Sequence, residues 1–206
     1  MSCEKFDLAR VQQCFEECLH EEEDVQIEAY IKGYLELYKF FTAMGTVFGF
    51  VSSDIKSKID ILEELRKMEM EKYFSVKTMM MHERDSDLLE KKNFVSGSRT
   101  LLRLHRGLDF LRDFLRRLSE LDGEENTCAA CRTAYNETLA HFHPWLIQKG
   151  AVMAMYAMPT KNNLLNKVCA DPEKAVLILP DMLQVTDQVY DRVHELYTVH
   201  DLHSLP

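Results

Sequence analysis

Arg99, Arg103 and Arg106 are the residues whose types and spacing most clearly point to chemistry, because steps of four and three place them on one side of an α-helix. Phe110 and Phe114 continue that side, since all five fall within about 60° of arc at about 100° per residue. Guanidinium groups bind phosphate bidentately. The row is therefore either an anion site beside an apolar surface, or arginines paired with surface acids while the phenylalanines pack on a neighbour.

A second segment, residues 40–65, places charges inside an apolar stripe. The same projection groups eight residues within about 60° of arc: Phe40, Met44, Val47, Val51, Asp54, Lys58, Leu62 and Leu65. Asp54 and Lys58 interrupt the stripe, either as an ordinary i,i+4 surface pair or as groups that face a polar ligand. Gly45 and Gly49 would let another backbone or a ligand approach closely.

A third segment, "HFHPWLIQKGAVMAMYAM", covers residues 141–158. The helix after Pro144 has one charge, Lys149, and is otherwise mostly apolar all round, which predicts a central buried helix. His143 lies at its start, where a histidine is usually a capping or core residue. Trp145 is either a core residue or an interface anchor.

Together these segments indicate an anion-binding site. Three arginines and Lys58 in a partly buried pocket would be unstable if unpaired, and Asp54 neutralises only one of them. A compact dianion such as a phosphate monoester fits this charge. Because phenylalanines and methionines line the adjoining faces, we expect the phosphate to be attached to something long and apolar, namely a lipid.

The composition favours one all-α domain over residues 1–206. The chain has 206 residues, is 46% hydrophobic and 29% charged, and contains only seven glycines and five prolines. Periodicity predicts helices over 6–20, over 28–67 in two stretches bent near Gly45 or Ser52–Ser53, and over 69–91, 99–121, 128–142, 144–158, 161–169 and 173–200. Within 99–121, a leucine stripe opposite the arginines is the expected core face.

Charge and motifs exclude several function classes. The formal net charge of −9 disfavours nucleic-acid binding, since a phosphate backbone would be repelled. His82-Glu83 begins a zinc-protease pattern, but Ser86 stands where the second histidine is required. The sequence has neither a Gly-x-Ser-x-Gly elbow nor a glycine-rich phosphate loop, so we expect no enzyme and no cofactor.

The cysteines and the hydropathy pattern indicate a cytosolic protein. No signal-peptide core is present at the N-terminus, and no run reaches the roughly 18–20 apolar residues that span a bilayer. The six cysteines fit free thiols in a reducing compartment. Cys128-Ala-Ala-Cys131 has the spacing of half a zinc site, but no second pair follows, so we predict no metal.

Four motifs together resemble the glycolipid transfer protein superfamily, and within it the branch that carries ceramide-1-phosphate: "FTAMGTVFGFVSSDIKSK", "SRTLLRLHRGL", "YNETLAHFHPW" and "MPTKNNLL". The resemblance runs from about Tyr30 to the C-terminus. It implies a two-layer helical sandwich that encloses lipid chains in a hydrophobic pocket and holds the headgroup at the surface. It also implies non-enzymatic lipid transfer between membranes by a monomer that contacts them transiently.

The resemblance implies a role for each cation. Lys58, Arg99 and Arg103 match the triad that holds the phosphate, and Arg106 matches a further basic position. Sugar-binding relatives have tryptophan where this chain has Arg103 and asparagine where it has Lys58, so both differences favour a phosphate headgroup.

The remaining site residues also follow from the resemblance. Asp54 matches the acid that binds the ceramide amide N–H and the sphingoid hydroxyl, and His143 matches the histidine that binds the amide carbonyl. Trp145 matches a membrane-contact tryptophan. The residues predicted to line the lipid-chain pocket are Phe40, Met44, Val47, Phe48, Val51, Phe110 and Phe114. A glycolipid carrier of the same fold, or a lipid sensor that binds without transferring, remains an alternative.

Overall fold

The structure, a computed structural model, describes residues 5–20 and 23–206 and is helical throughout most of them. The described part contains nine α-helices: α1 (Leu8–Cys18), α2 (Ile27–Ala43), α3 (Gly49–Met68), α4 (Val76–Asp85), α5 (Gly97–Glu120), α6 (Cys128–Glu137), α7 (Trp145–Met155), α8 (Lys161–Val168) and α9 (Pro172–Val199). Short 3-10 turns cover Thr46–Phe48, Leu88–Glu90 and Ala140–Phe142. The strands β1 (Leu19–His20) and β2 (Asp24–Val25) form a small antiparallel pair. Of the helices described, none is long and apolar enough to cross a bilayer.

Helix α5 lies at the centre of the packing, against α3, α6 and α9, while α1 packs on α2 and α9. The predicted leucine stripe is confirmed, because all its members are buried: Leu101, Leu104, Leu108, Leu111, Leu115 and Leu118. Burial of this stripe fixes the rotation of α5 about its axis. The side that carries the arginines therefore lies away from the leucine face.

The predicted bend near Gly45 is confirmed. Gly45 has a φ of 95°, in the left-handed region that favours glycine, and it separates α2 from the 3-10 turn that leads into α3. The alternative bend at Ser52–Ser53 is wrong, since both serines lie inside α3, where the Ser52 hydroxyl donates to the Gly49 carbonyl. The turn at Gly45 sets the direction of α3, and with it the position of Asp54 and Lys58.

The prediction of one helix over 69–91 is wrong. Residues 69–75 form turns, and α4 begins only after Ser75, which forms a reciprocal capping box with Thr78. The guanidinium of Arg66 donates to the Tyr73 carbonyl at 3.1 Å and so stabilises the turn. Asp87, with a φ of 54°, follows α4 and precedes the 3-10 turn. Local capping overrides the helical periodicity here.

The prediction that the helix after Pro144 is a central buried helix is also wrong. Helix α7 buries only one narrow side, formed by Ala151, Ala154 and Met155. Trp145 and Leu146, at its start, are 69% and 72% exposed. A helix that is apolar on all sides has the same sequence pattern whether it is buried in the core or exposed at the surface. Sequence periodicity therefore does not distinguish a buried apolar helix from an exposed one.

Candidate functional site

The start of α5, which positions Arg99, is held by a buried carboxylate from α4. Glu83 accepts hydrogen bonds from the Ser96 hydroxyl (2.5 Å) and from the backbone N–H groups of Gly97 (2.6 Å) and Ser98 (3.0 Å). Ser96 in turn accepts from the Arg99 N–H at 3.1 Å. A negative charge at the positive end of the helix dipole stabilises the first turn. Sequence reasoning missed this role of Glu83, because the contact joins two helices.

The first two arginines of the row retain unused donors. Arg99 is half-buried and donates through Nη2 to the Leu89 carbonyl, but its buried Nε has no partner within the described part of the chain. Arg103 is exposed, and no group of residues 5–20 or 23–206 forms a hydrogen bond or ion pair with it. Both guanidinium groups can therefore take an anion without first breaking an ion pair.

Arg106 is engaged with the C-terminal segment. Its Nη2 donates to the carbonyls of His203 (2.9 Å) and Leu205 (3.3 Å), and its guanidinium carbon lies 4.1 Å from the centre of the Phe142 ring. Burial lowers the pKa of Arg106, and the like charge of Arg103 lowers it further. Arg106 thus adds positive charge beside Arg103, while its Nη2 already donates to the C-terminal segment.

The structure brings Asp54, Lys58 and His143 close together. The Lys58 ammonium, on a side chain only 13% exposed, pairs with the Asp54 carboxylate, whose side chain is 66% exposed. Burial lowers the pKa of His143, Asp54 raises it and Lys58 lowers it, so both charges act on the imidazole. One acceptor, one cation and one neutral imidazole therefore lie side by side.

His143 has a partner that sequence reasoning missed. The hydroxyl of Tyr135, a buried residue of α6, lies 2.8 Å from Nδ1 of His143. The amide of Gln148 donates to the His143 carbonyl at 2.9 Å. "YNETLAHFHPW" contains both Tyr135 and His143, but the contact depends on where α6 ends and the 3-10 turn begins.

The residues predicted to line the chain pocket differ in burial. Phe40, Met44, Phe48 and Phe114 are buried, Val51 and Phe110 are half-buried, and Val47 is 48% exposed. The Phe110 and Phe114 rings are parallel, with centres 6.1 Å apart, and Phe110 meets Tyr135 edge-on at 6.2 Å. Two clefts, of about 510 Å³ and about 320 Å³, are lined by other residues. The pocket assignment stays a prediction.

Trp145 belongs to an exposed apolar surface beside His143, so its interpretation as a core residue is wrong. With Trp145 and Leu146, this surface includes Phe142 (52% exposed) and Ile147 (44% exposed). The Lys149 ammonium lies 5.7 Å from the centre of the Trp145 ring. Exposed aromatic and aliphatic groups next to a cation form a surface suited to a membrane interface.

The described residues contain no cluster of three or more His, Cys, Asp or Glu side chains that could hold a metal ion. Cys128 and Cys131 are free thiols, as are Cys14, Cys18 and Cys169. Cys3 lies outside the described residues.

Comparison with known proteins identifies the relatives of this chain. The family model "Glycolipid transfer protein (GLTP)" matches residues 25–170. The ceramide-1-phosphate transfer protein of Xenopus tropicalis is 39% identical over 210 residues, which cover 98% of each chain. That of Homo sapiens is 37% identical over 207 residues, which cover 98% of this chain and 97% of the human one.

The crystal structure of the apo mouse ceramide-1-phosphate transfer protein superposes with a TM-score of 0.91 at 35% identity, covering 98% of this chain and 100% of the mouse chain. The human protein in complex with 2:0 ceramide-1-phosphate gives 0.89 at 35% identity with the same coverage. These matches confirm the predicted two-layer fold, and the chain belongs to the glycolipid transfer protein family.

Proposed function

We propose that this protein is a non-enzymatic carrier that moves a phosphorylated sphingolipid, ceramide-1-phosphate, between membranes. The observation that carries the proposal is the cationic row on α5, in which exposed Arg103 has no anionic partner among the described residues and the buried Nε of Arg99 has none either. A phosphate monoester supplies the missing negative charge. The relatives named above carry the same ligand in their names, and one was solved with it bound.

Phosphate recognition is assigned to Lys58, Arg99 and Arg103. A guanidinium presents parallel N–H donors to two phosphate oxygens, whereas the lysine ammonium acts as a compact charge. Arg106 adds positive charge next to Arg103 but contributes less to phosphate binding, since its Nη2 already donates to the carbonyls of the C-terminal segment. Among the residues assigned to the site, Asp54 is the one acid, and it is already paired with Lys58.

Ceramide recognition is assigned to Asp54 and His143. The Asp54 carboxylate accepts the amide N–H of the lipid, and the imidazole of His143 donates to the amide carbonyl. A diacylglycerol phosphate could satisfy the arginines but has no amide N–H for Asp54. Leaving that acceptor unmatched in the complex costs on the order of 1–3 kcal/mol, so the carrier prefers ceramide-based lipids by about ten-fold or more.

The lipid chains are assigned to the apolar residues beside this site. Phe110 and Phe114 pack against each other, so the chains enter by separating side chains that already touch. The exchange replaces one set of apolar contacts by another, which keeps the energetic cost of opening small.

Membrane docking is assigned to the exposed start of α7. Trp145 and Leu146 insert into the headgroup layer, and Lys149 contacts anionic lipids. The net charge of −9 opposes tight binding to anionic bilayers, so attachment is weak and reversible.

We place the protein in the cytosol as a monomer of one domain over residues 1–206, consistent with free thiols at all five described cysteines.

The test is transfer of fluorescent ceramide-1-phosphate from donor to acceptor vesicles by the full chain, beside a simple glycosphingolipid with the same acyl chain. We expect rapid transfer of the phosphorylated lipid and little of the glycolipid. Preferential transfer of the glycolipid would make the protein a glycolipid carrier. Binding of ceramide-1-phosphate without transfer would make it a sensor.

A further inference from the structure

We propose that Tyr135 is a positioning residue for lipid recognition: its hydroxyl selects the tautomer of His143 in which Nε2–H faces the lipid amide. The effect on lipid recognition rests on the proposed function, whereas the hydrogen bond between Tyr135 and His143 is independent of it. The Tyr135 hydroxyl lies 2.8 Å from Nδ1 of His143, a short distance for a hydrogen bond. Which nitrogen of an imidazole carries the proton is set by the hydrogen bond that the other nitrogen makes.

The direction of this hydrogen bond follows from the donors and acceptors available. A neutral imidazole has one N–H donor and one acceptor nitrogen. If His143 donated from Nδ1, the phenolic O–H of Tyr135 would need another acceptor, and among the residues that the structure describes none forms a hydrogen bond with it. If Tyr135 donates, its buried hydroxyl is satisfied and the proton of His143 lies on Nε2.

The protonation states required are those that burial favours. Burial raises the pKa of Tyr135, so the phenol keeps its proton and remains a donor. Burial also lowers the pKa of His143, against the opposing effect of Asp54 and with help from Lys58, so the imidazole is neutral near pH 7. Only a neutral imidazole has a tautomer to select.

Both sides of the contact are held in place. The Tyr135 ring meets Phe110 edge-on at 6.2 Å, within the apolar group that also contains Phe114. The backbone of His143 is held by Gln148, whose amide donates to the carbonyls of Ala140 and His143, each at 2.9 Å. Tyr135 therefore fixes the orientation of the His143 ring, and Gln148 fixes the position of the His143 backbone. Recognition of one lipid carbonyl requires both. Tyr135 also joins the headgroup site to the residues predicted to hold the chains.

The first experiment reads the tautomer without any lipid. The full chain is labelled with ¹⁵N-histidine, and the two ring nitrogens of His143 are assigned by NMR above neutral pH. We expect a protonated Nε2 in the native protein and a mixture of tautomers in Tyr135→Phe. Tyr34→Phe is the matched control, because it removes a buried tyrosine hydroxyl that donates to the Leu104 carbonyl at 2.6 Å, on another helix. A proton on Nδ1 in the native protein, or an unchanged tautomer in Tyr135→Phe, would overturn the inference.

The second experiment is a double-mutant cycle on binding of short-chain ceramide-1-phosphate. Tyr135→Phe is expected to weaken binding by about three- to ten-fold, as loss of one positioned hydrogen bond does, while Tyr34→Phe has no such effect. In a His143→Ala background the Tyr135→Phe change should have no further effect. An equal loss in both backgrounds would mean that Tyr135 supports only the fold. If the native protein does not bind this lipid, the proposed function is wrong. The tautomer of His143 is still tested by the NMR experiment, which uses no lipid.

Discussion

Arg106 donates to the backbone carbonyl of His203 at 2.9 Å, although the two residues are 97 positions apart. This hydrogen bond, with the one to Leu205, gives Arg106 a role that differs from that of Arg103 on the same face of α5. Arg103 is exposed and free of ion pairs with the described residues, so it is the guanidinium most available to a ligand.

We therefore expect Arg103→Leu to reduce ceramide-1-phosphate transfer to near background while the protein remains folded. Loss of a charge-assisted hydrogen bond to phosphate costs about 1.5–3 kcal/mol. Arg106→Leu should reduce transfer less and stability more. Arg116→Leu is the control, because Arg116 lies on the same helix and pairs with Asp187 at 3.0 Å. Vesicle transfer and a thermal melt measure both effects, and near-normal transfer by folded Arg103→Leu would contradict the headgroup site.

Asp54→Val should lower transfer of every ceramide-based lipid, because it removes the acceptor for their shared amide N–H. A diacylglycerol phosphate should be affected far less, since it has no such donor. Asp60→Val is the matched control: it breaks the Lys56–Asp60 pair, also an i,i+4 pair on α3. The measurement is transfer of the two lipids by each variant. Equal losses for both lipids would mean that Asp54 acts only through Lys58.

Trp145→Ala should weaken vesicle partitioning and slow transfer, with little change in affinity for a short-chain, water-soluble ceramide-1-phosphate. Because Trp145 is 69% exposed, the free energy of unfolding should change by no more than about 0.5 kcal/mol. Leu177→Ala is the control, since Leu177 is 79% exposed but lies on α9. Vesicle co-sedimentation and a thermal melt separate the outcomes. Unchanged vesicle binding would place the docking surface elsewhere.

His105 should make the protein sensitive to acid. It is buried against Tyr190, with ring centres 4.2 Å apart, and neither ring nitrogen has a hydrogen-bond partner in residues 5–20 and 23–206. Burial is the main reason that the pKa of His105 lies well below its ordinary value. The positive charge of nearby groups lowers this pKa further: His194, His203, Arg112 and Arg106. The unfolded chain takes up this proton below about pH 6.5, whereas the native protein does not. The free energy of unfolding therefore falls as the pH drops, by up to about 1.4 kcal/mol per pH unit for this group.

His105→Phe keeps an aromatic ring against Tyr190 and removes the titration. Urea unfolding between about pH 7.5 and about pH 5.5 should give a shallower loss of stability for this variant than for the native protein. Parallel curves for the two proteins would show that His105 does not carry the effect. Other histidines with lowered pKa, such as His143 and His203, leave part of the slope in place.

The sequence alone determined the features that repeat along one helix or depend on one residue's backbone. The leucine stripe and arginine row of α5 follow from a period of 3.6 residues, so their separation onto two sides needed no knowledge of the rest of the fold. The sequence left the bend at either Gly45 or Ser52–Ser53, and the structure places it at Gly45, where a left-handed φ costs little because the residue is glycine. The family resemblance of the motifs predicted one site for Asp54, Lys58 and His143; these three side chains lie near one another, and their lipid contacts stay a prediction.

Only the tertiary structure decided which apolar faces are covered and which polar groups meet across the chain. Helix α7 reads as a buried helix but is exposed, because coverage depends on elements distant in sequence. Glu83 at the start of α5, the C-terminal carbonyls at Arg106 and Tyr135 at His143 are contacts between separate elements. Each results from how rigid helices pack and where local caps end them, and helical periodicity contains no information about either.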